Sequence, residues 1–236
     1  MKIGLLGGHG RMGLEIQKLI SEQSNINLVS APKRGEDFNS LFKSDVIIDF
    51  SLPQAGLEWI KLAKEKKHFV PYIVASTGWT AEQLQKLTEY SEYTPVIQST
   101  NFSLGINALH QILSEAAPLL KNLGYEVKVT ETHHVHKKDA PSGTALSIES
   151  TLEKSGYSNI EIEALREGEV FGDHEIKFFS PSDEIILSHS AKNRDLFAKG
   201  ALEAAYWLYQ KKQVSPVLFG IIPLETFFYE RQGAQS

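Results

Sequence analysis

The sequence predicts an α/β fold in which a doubly wound parallel sheet is followed by a second α+β domain with a mixed or antiparallel sheet. Three observations support this prediction. Short β-branched runs alternate with amphipathic stretches through the first half, a glycine-rich turn joins the first run to the first amphipathic stretch, and a strictly alternating run lies in the second half. The order of strand, glycine-rich turn and helix is typical of a Rossmann-type domain.

Five strands separated by helices are predicted in the first half. The strands are residues 2–6, 26–31, 46–50, 69–75 and 95–98, and the helices are residues 11–22, 53–67 and 80–90. Two of these helices open with a start signal, since Pro53 follows Ser51 and Gln83 lies three residues after Thr80. Strands and helices that alternate in this way form a parallel sheet.

The pattern changes near Leu104, which marks the expected end of the first domain. The predicted elements beyond it are a helix at 106–123, a half-buried strand at 125–135, a helix at 144–154, a hairpin of 174–179 and 184–190, and a helix at 193–211. We expect a first domain over residues 1–104, to which residues 194–236 return, and a second domain over residues 105–193. Residues 231–236 are expected to be a frayed tail.

The composition excludes several classes of protein. The chain has 236 residues and no cysteine, so it can form no disulfide, thiolate nucleophile, Cys-ligated zinc site or iron–sulfur cluster. Its 29 acidic and 24 basic residues give a net charge of −5, which disfavours a nucleic-acid binder. Neither a membrane span nor a signal peptide is recognisable, and we therefore expect a cytoplasmic protein.

The turn between the first strand and the first helix is the first candidate binding site. It reads Gly7-Gly8-His9-Gly10-Arg11-Met12-Gly13. Glycines permit a tight turn and close approach of the backbone to a pyrophosphate, while the helix N-terminus supplies N–H groups with partial positive charge. We predict that a dinucleotide contacts Gly7, Gly8, Gly10, Arg11, Met12 and Gly13. A glycine-rich turn without a ligand is the alternative.

The end of the second strand predicts which dinucleotide binds. An NAD-binding domain usually has an acidic residue about 20 residues after the glycine turn, where it binds the ribose. Here the chain has Lys33 and Arg34, and no carboxylate before Glu36. Two cations suit the 2′-phosphate of NADP, so NADPH is the expected cofactor and NADH remains possible. The alternative is a solvated basic loop.

Three histidines, His133, His134 and His136, fall close together and raise the possibility of a metal site. If the strand alternation continues, His133 points with Val127 and Val129, while His134 and His136 point to the opposite face. One ion could not then collect all three histidines, and the sequence has no H-E-x-x-H motif. We therefore predict no metal at these residues.

The same segment suits a small dianion better. His133 can donate a proton near neutral pH, and Lys137 supplies a fixed positive charge. Ser142, Gly143 and Thr144 then open a helix, whose N-terminal N–H groups can bind a carboxylate. A capped helix with a core histidine and surface lysines is the alternative.

The segment E-x-H-H-x-H-K-x-D-A-P-S-G-T-A, which starts at Glu131, resembles the signature of the dihydrodipicolinate reductase family. Further similarities are G-R-M-G at 10–13, D-F-S at 49–51, S-T-G at 76–78, N-F-S-L-G at 101–105 and R-E-G at 166–168. The resemblance implies hydride transfer from a nicotinamide to a cyclic imine dicarboxylate, which yields tetrahydrodipicolinate on the diaminopimelate route to lysine.

The resemblance also implies roles for individual residues. His133 would be the general acid, Lys137 would bind and orient the substrate, and His134, Ser142, Gly143 and Thr144 would hold its carboxylates. Ser76, Thr77, Gly78, Asn101 and Phe102 would lie near the cofactor. The first domain would then bind the dinucleotide, and the second would bind substrate and form a homotetramer.

Two other functions remain open from the sequence. One is a different imine- or amino-acid-directed dehydrogenase of the same architecture, such as an aspartate dehydrogenase. The other is an NADP-binding regulator without turnover, which would keep the glycine turn but would not need His133 with Lys137. No membrane or nucleic-acid partner is expected.

Overall fold

The β-branched runs of the sequence become strands of two separate sheets. A computed structural model describes residues 1–233. In chain order its strands and helices are β1 (Lys2–Leu6), α1 (Arg11–Ser21), β2 (Asn27–Ser30), β3 (Val46–Asp49), α2 (Pro53–Lys66), β4 (Tyr72–Val74), α3 (Ala81–Ser91), β5 (Pro95–Gln98), α4 (Leu104–Asn122), β6 (Glu126–His133), α5 (Gly143–Lys154), β7 (Glu161–Arg166), β8 (Asp173–Phe179), β9 (Glu184–Ser190), α6 (Asp195–Val214), β10 (Gly220–Ile221) and α7 (Leu224–Gly233). A short 3-10 helix spans Asn39–Lys43.

The chain divides into two units. The first comprises Met1–Phe102 and the chain from Asp195 onward, and the second comprises Ser103–Arg194. The first unit contains a six-stranded sheet in the order β10-β5-β4-β3-β1-β2, with every strand parallel to its neighbours. The predicted Rossmann-type parallel sheet is therefore confirmed. The sequence did not predict β10, because it has two residues, one of which is Gly220.

The core of the first unit lies against the central strands, which are buried along their whole length, as parallel strands between helices must be. The side chains of Trp59, Tyr72 and Tyr90 are fully buried there. The Tyr90 hydroxyl accepts hydrogen bonds from Trp59 Nε1 (3.2 Å) and the Val70 N–H (3.1 Å) and donates to the Val70 carbonyl (2.6 Å). These bonds tie α2 and α3 to the segment that leads into β4.

The second unit contains a four-stranded mixed sheet in the order β7-β6-β8-β9. Strand β6 is parallel to β7 and antiparallel to β8, and β9 completes the predicted hairpin with β8. Apolar side chains of this sheet pack with those of α4 and α5, with Leu113, Val129, Ile148, Leu152 and Phe178 at the centre. The sequence did not predict β7. Half of its residues are charged, and the alternation of polar and apolar residues breaks at Ala164 and Leu165, which are both apolar.

Helix and strand ends differ from the predictions by a few residues, for local reasons. Ser103 caps α4 by accepting a hydrogen bond from the Ile106 N–H (3.2 Å), so this helix starts two residues earlier than predicted. Strand β6 ends at His133, two residues before the predicted end at Val135, because a turn follows at once. Helix α6 begins at Asp195 and continues to Val214.

The predicted frayed tail covers residues 231–236. Helix α7 runs to Gly233, so this prediction is wrong for residues 231–233. The rest of that expectation concerns residues 234–236, which lie outside the described residues. Within residues 1–233, no helix combines the length and apolar character needed to cross a bilayer.

Candidate functional site

The glycine turn of the first unit follows β1 at the carboxyl edge of the parallel sheet. Gly7 has φ +77°, and a Cβ there would lie 2.7–2.8 Å from backbone atoms of Phe50 and Ser51. A Cβ on Gly13 would lie 2.3 Å from the Gly7 carbonyl oxygen. Both positions therefore require glycine. Gly10 is the N-cap of α1. Because glycine has no side chain, the N-cap forms no side-chain hydrogen bond with the first N–H groups of the helix.

The glycine turn and the basic pair line one cleft. The cleft has a volume of about 360 Å³, and its walls include Gly7–Gly10, Lys33, Arg34 and Ser51. Lys33 and Arg34 are exposed, and the Lys33 N–H donates to Glu36 Oε2 (2.8 Å), which closes the loop. The two features that the sequence assigned to a dinucleotide thus lie together. Of the first-turn residues of α1, Arg11 is exposed and Met12 is half-buried.

A buried carboxylate organises the same edge of the sheet. Asp49 is fully buried and accepts hydrogen bonds from the Ser51 N–H (2.7 Å), Tyr72 Oη (2.6 Å) and Ser76 Oγ (3.3 Å). Burial raises the pKa of Asp49, and these hydrogen bonds oppose the rise. From the sequence Asp49 is recognisable only as part of the D-F-S motif, because no local pattern shows that Tyr72 and Ser76, more than 20 residues away, donate to it.

The remaining cofactor residues predicted from the sequence divide into buried and exposed groups. The Ser76 hydroxyl is used within the protein, since it donates to Asp49 and accepts from Trp79 Nε1 (3.0 Å). Thr77 and Gly78, which follow it, are exposed. The Asn101 N–H donates to Ser99 Oγ (3.2 Å), and Phe102 is buried; both lie at the end of the first unit.

The centre of the second unit's site is Glu131 on β6. Its side chain is fully buried. Oxygen Oε1 accepts hydrogen bonds from Arg166 Nη2 (3.0 Å) and the Ser142 N–H (3.1 Å), and Oε2 contacts His133 Nδ1. Burial alone would raise the pKa of Glu131, but the Arg166 hydrogen bond and the charges of His133 and Arg166 hold it below its ordinary value. Glu131 is therefore a carboxylate at neutral pH.

His133 lies two residues from Glu131 on the same face of β6, as the strand period predicts. The Glu131 contact places a proton on Nδ1, which leaves Nε2 to exchange protons with a ligand. Gly172 keeps this nitrogen open, because a Cβ there would lie 3.0 Å from it. Burial lowers the pKa of His133. The positive charges of Lys137 and Arg166 lower this pKa further, whereas the negative charge of Glu131 raises it.

The loop after β6 is fixed to the same carboxylate. Arg166 donates to the Asp139 carbonyl oxygen, and Lys137 Nζ lies 2.8 Å from Asp139 Oδ2. The Ala140–Pro141 peptide is cis. The Ser142 N–H donates to Glu131. Ser142 is also the N-cap of α5, because its Oγ accepts a hydrogen bond from the Ala145 N–H (3.2 Å). The position of Lys137 and the start of α5 therefore both depend on Glu131 and Arg166.

His133, Lys137 and the start of α5 lie near one another, since the Lys137 charge acts on His133 and the Ser142 N–H donates to Glu131 beside it. Gly143 is exposed, with no heavy atom within 4 Å of where its Cβ would be, and Thr144 is half-buried. His134 is half-buried and belongs to the turn, since β6 has already ended. His136 is exposed and lies 3.7 Å from Glu169.

Two histidines that sequence reasoning missed lie beside His133. His174 on β8 is directly opposite Glu131, and His189 on β9 is directly opposite His174. The His133 and His174 rings are T-shaped with centroids 5.3 Å apart. Burial and repulsion from His133 lower the pKa of His174 to about 4. Only the strand register reveals this cluster, because His174 and His189 are distant from His133 in sequence.

Glu131, His133 and His174 also offer metal-ligand atoms within 4.8 Å of one another. Zinc would require bonds of about 2.0–2.2 Å to a ligand atom of each residue. Glu131 and His133, which are in direct contact, would have to move apart to make room for the ion. Arg166 and Lys137 add positive charge that opposes a cation at this position. The arrangement suits proton transfer better than metal binding.

Comparison with known proteins identifies the family of the chain. Models of dihydrodipicolinate reductase match residues 1–102 for the N-terminus and residues 105–221 for the C-terminus. A 4-hydroxy-tetrahydrodipicolinate reductase of Bdellovibrio bacteriovorus is 40% identical over 229 residues, which cover 93% of this chain and 97% of the relative. One of Campylobacter jejuni is 33% identical over 235 residues, covering 90% and 95%.

A solved structure shows the same fold. The dipicolinate-bound dihydrodipicolinate reductase from Paenisporosarcina has a TM-score of 0.75 and 23% identity, with coverage of 96% of this chain and 98% of that chain. Because the family models match both halves and the relatives cover nearly the whole chain, this protein belongs to the dihydrodipicolinate reductase family.

Proposed function

We propose that the chain reduces 4-hydroxy-tetrahydrodipicolinate to tetrahydrodipicolinate on the diaminopimelate route to lysine, with NADPH as preferred reductant and His133 as general acid. Its family makes it an NAD(P)H-dependent oxidoreductase, which favours this reaction over the aspartate dehydrogenase-like and regulatory alternatives. The observation that supports the role of His133 is its contact, through Nδ1, with the buried carboxylate of Glu131.

The first unit fits the cofactor. Gly7 and Gly13 leave backbone space that a Cβ would fill, and Lys33 and Arg34 line the same cleft. When bound, the cofactor supplies the hydride. The glycine turn and the start of α1 would hold its pyrophosphate, and Thr77, Gly78, Asn101 and the backbone of Ser76 would contact the nicotinamide.

The second unit would bind the dicarboxylate and supply the proton. Lys137 and His134 would pair with one carboxylate, while Ser142, Gly143 and Thr144 at the open start of α5 would hold the other. A bound dianion attracts a proton to His133, whose pKa is lowered in the free protein. His133 then donates from Nε2 as hydride reaches the substrate, and it returns to the neutral form with Nδ1–H facing Glu131.

Substitution of the proposed acid tests this function. His133→Gln is expected to lower kcat by about 10²–10⁴-fold, because the proton donor is lost. Lys137→Ala is expected to raise KM and lower kcat, because the charge that orients the substrate is lost. Turnover is followed by NADPH absorbance, with substrate generated from pyruvate and aspartate semialdehyde.

NADPH affinity, measured by fluorescence titration, should stay near that of the unchanged chain, since both residues belong to the second unit. His136→Gln, at an exposed histidine of the same loop, is the matched control and should retain activity. Loss of NADPH affinity in proportion to kcat would contradict the assignment of His133 and Lys137.

Preference for NADPH is expected to depend on Lys33 and Arg34. The double variant Lys33→Glu with Arg34→Ala should lower the ratio of NADPH to NADH affinity by about tenfold or more, because the 2′-phosphate loses two charge-assisted contacts. Lys61→Glu, which reverses the charge of a highly exposed lysine on α2, is the control for a charge reversal outside the cleft. An unchanged ratio in the double variant would refute the basic pair as the 2′-phosphate site.

A homotetramer and a cytoplasmic location are further parts of the proposal. Ile185 and Ile186 are exposed on β9, the edge strand of the second sheet. Adjacent exposed apolar residues on an edge strand are typical of a surface that pairs with another copy. Sedimentation velocity should give a species of four chains, and a stable monomer would contradict this; cell fractionation tests the location.

A further inference from the structure

One basic side chain lies within the glycine turn, that of His9. It stands between Gly8 and Gly10, where the usual G-x-G-x-x-G pattern has its second glycine. The residue is exposed and lines the same cleft as Lys33 and Arg34. The turn is expected to bind a pyrophosphate through backbone N–H groups, which do not involve the imidazole. The proposed role of the turn therefore leaves the side chain of His9 unexplained.

His9 connects the glycine turn to the end of β2. Its Nε2 lies 3.2 Å from the carbonyl oxygen of Ala31, the residue that follows β2. The two backbone segments are also close, since a Cβ on Gly8 would lie 2.9 Å from the Ala31 Cβ. In a dinucleotide-binding domain, the segment after the second strand meets the 2′ position of the adenosine ribose. The imidazole of His9 therefore lies at the 2′ end of the cleft.

The bond to Ala31 determines which ring nitrogen of His9 can gain a proton. A carbonyl oxygen only accepts hydrogen bonds, so Nε2 carries the hydrogen. In the neutral ring Nδ1 then has a lone pair, which repels an anion. A proton on Nδ1 makes the ring a cation with a second donor and leaves the Ala31 bond in place. A phosphate beside the ring and a proton on Nδ1 therefore stabilise each other.

We propose that protonated His9 is a third cationic ligand of the 2′-phosphate of NADPH, so that preference for NADPH over NADH increases as the pH falls from 8 to 6. His9 donates from Nδ1 to this phosphate and from Nε2 to Ala31, and it takes up one proton when it binds the phosphate. This inference rests on the proposed function. It adds to Lys33 and Arg34 a ligand whose charge depends on pH.

The other charged groups around the cleft do not produce this pH dependence. Lysine, arginine and glutamate side chains ordinarily keep their charge between pH 6 and 8, whereas histidine does not. The 2′-phosphate gains a proton near pH 6, which weakens NADPH binding at low pH in every variant. Comparison with a variant of His9 therefore isolates the imidazole. The charged groups of the neighbouring elements are Lys33, Arg34 and Glu36 after β2, Arg11 on α1 and Glu58 on α2.

His9→Gln tests the charge of the ring separately from its structural contact. The glutamine amide can still donate to the Ala31 carbonyl oxygen, but it cannot gain a proton. Fluorescence titration gives the affinities for NADPH and NADH at pH 6 and pH 8. From pH 8 to pH 6, the ratio of NADPH to NADH affinity in the unchanged chain, divided by that in His9→Gln, should increase about fivefold, because the charge-assisted bond forms at the lower pH.

His9→Lys provides a variant whose charge is fixed. At pH 8 its ratio of NADPH to NADH affinity should exceed that of the unchanged chain by about fivefold, because lysine is already protonated. Its ratio divided by that of His9→Gln should be the same at pH 6 and pH 8. His68→Gln, at an exposed histidine of the first unit that stacks on Phe42, is the control and should behave as the unchanged chain.

Nuclear magnetic resonance identifies the phosphate that His9 binds. The ring C–H signal of His9, assigned by comparison with His9→Gln, is followed against pH with two nucleotides. 2′,5′-ADP carries the 2′-phosphate, whereas 5′-ADP carries a pyrophosphate and a free 2′-hydroxyl. The signal should titrate at a higher pH with 2′,5′-ADP than with 5′-ADP.

The outcomes separate the role of His9 from the reaction. An affinity ratio with the same pH dependence in the unchanged chain and His9→Gln would overturn the proposal. Equal titration of the His9 signal with both nucleotides would overturn it too, because the ring would then respond to the phosphates at the 5′ position. If the affinities follow the expected pattern but the unchanged chain does not oxidise NADPH with substrate, the proposed reaction is refuted and the role of His9 is supported.

Discussion

The second unit depends on one buried carboxylate, that of Glu131. It accepts hydrogen bonds from Arg166 and from the N–H of Ser142, the N-cap of α5, and it contacts His133. Removing one partner of a buried ion pair typically costs about 3–5 kcal/mol, because the other charge is left uncompensated. This interaction therefore fixes three things at once: the tautomer of His133, the path of the loop that holds Lys137, and the start of α5.

The sequence predicted the architecture well where a local pattern determines it. Alternation in β6 placed His133 on the buried face, and the glycine turn and the Ser142 cap were recognisable from residue types alone. Strand register is not local, so the approach of Arg166 and His174 to Glu131 could not be predicted. The short β10 was missed for a related reason, since its two residues pair only because β5 is already in place.

Positive charge is local in a chain whose net charge is −5. In the first unit, Lys33 and Arg34 line the cleft beside the glycine turn. In the second, Arg166 neutralises Glu131 while Lys137 is paired with Asp139 at the loop surface. Under the proposed function, the two units would use different physical means for two anions: backbone N–H groups and exposed cations for a dinucleotide, and a partly buried charge network for a dicarboxylate.

The tautomer of His133 tests the central claim most directly. Long-range ¹⁵N–¹H spectra, recorded above the histidine pKa and assigned by comparison with His133→Gln, report which ring nitrogen holds the proton. The Glu131 contact predicts a proton on Nδ1 in the unchanged chain, and a shift towards Nε2–H in Glu131→Leu, which has no hydrogen-bond acceptor. A His133 ring protonated on Nε2 in the unchanged chain, or a tautomer indifferent to Glu131→Leu, would contradict the account.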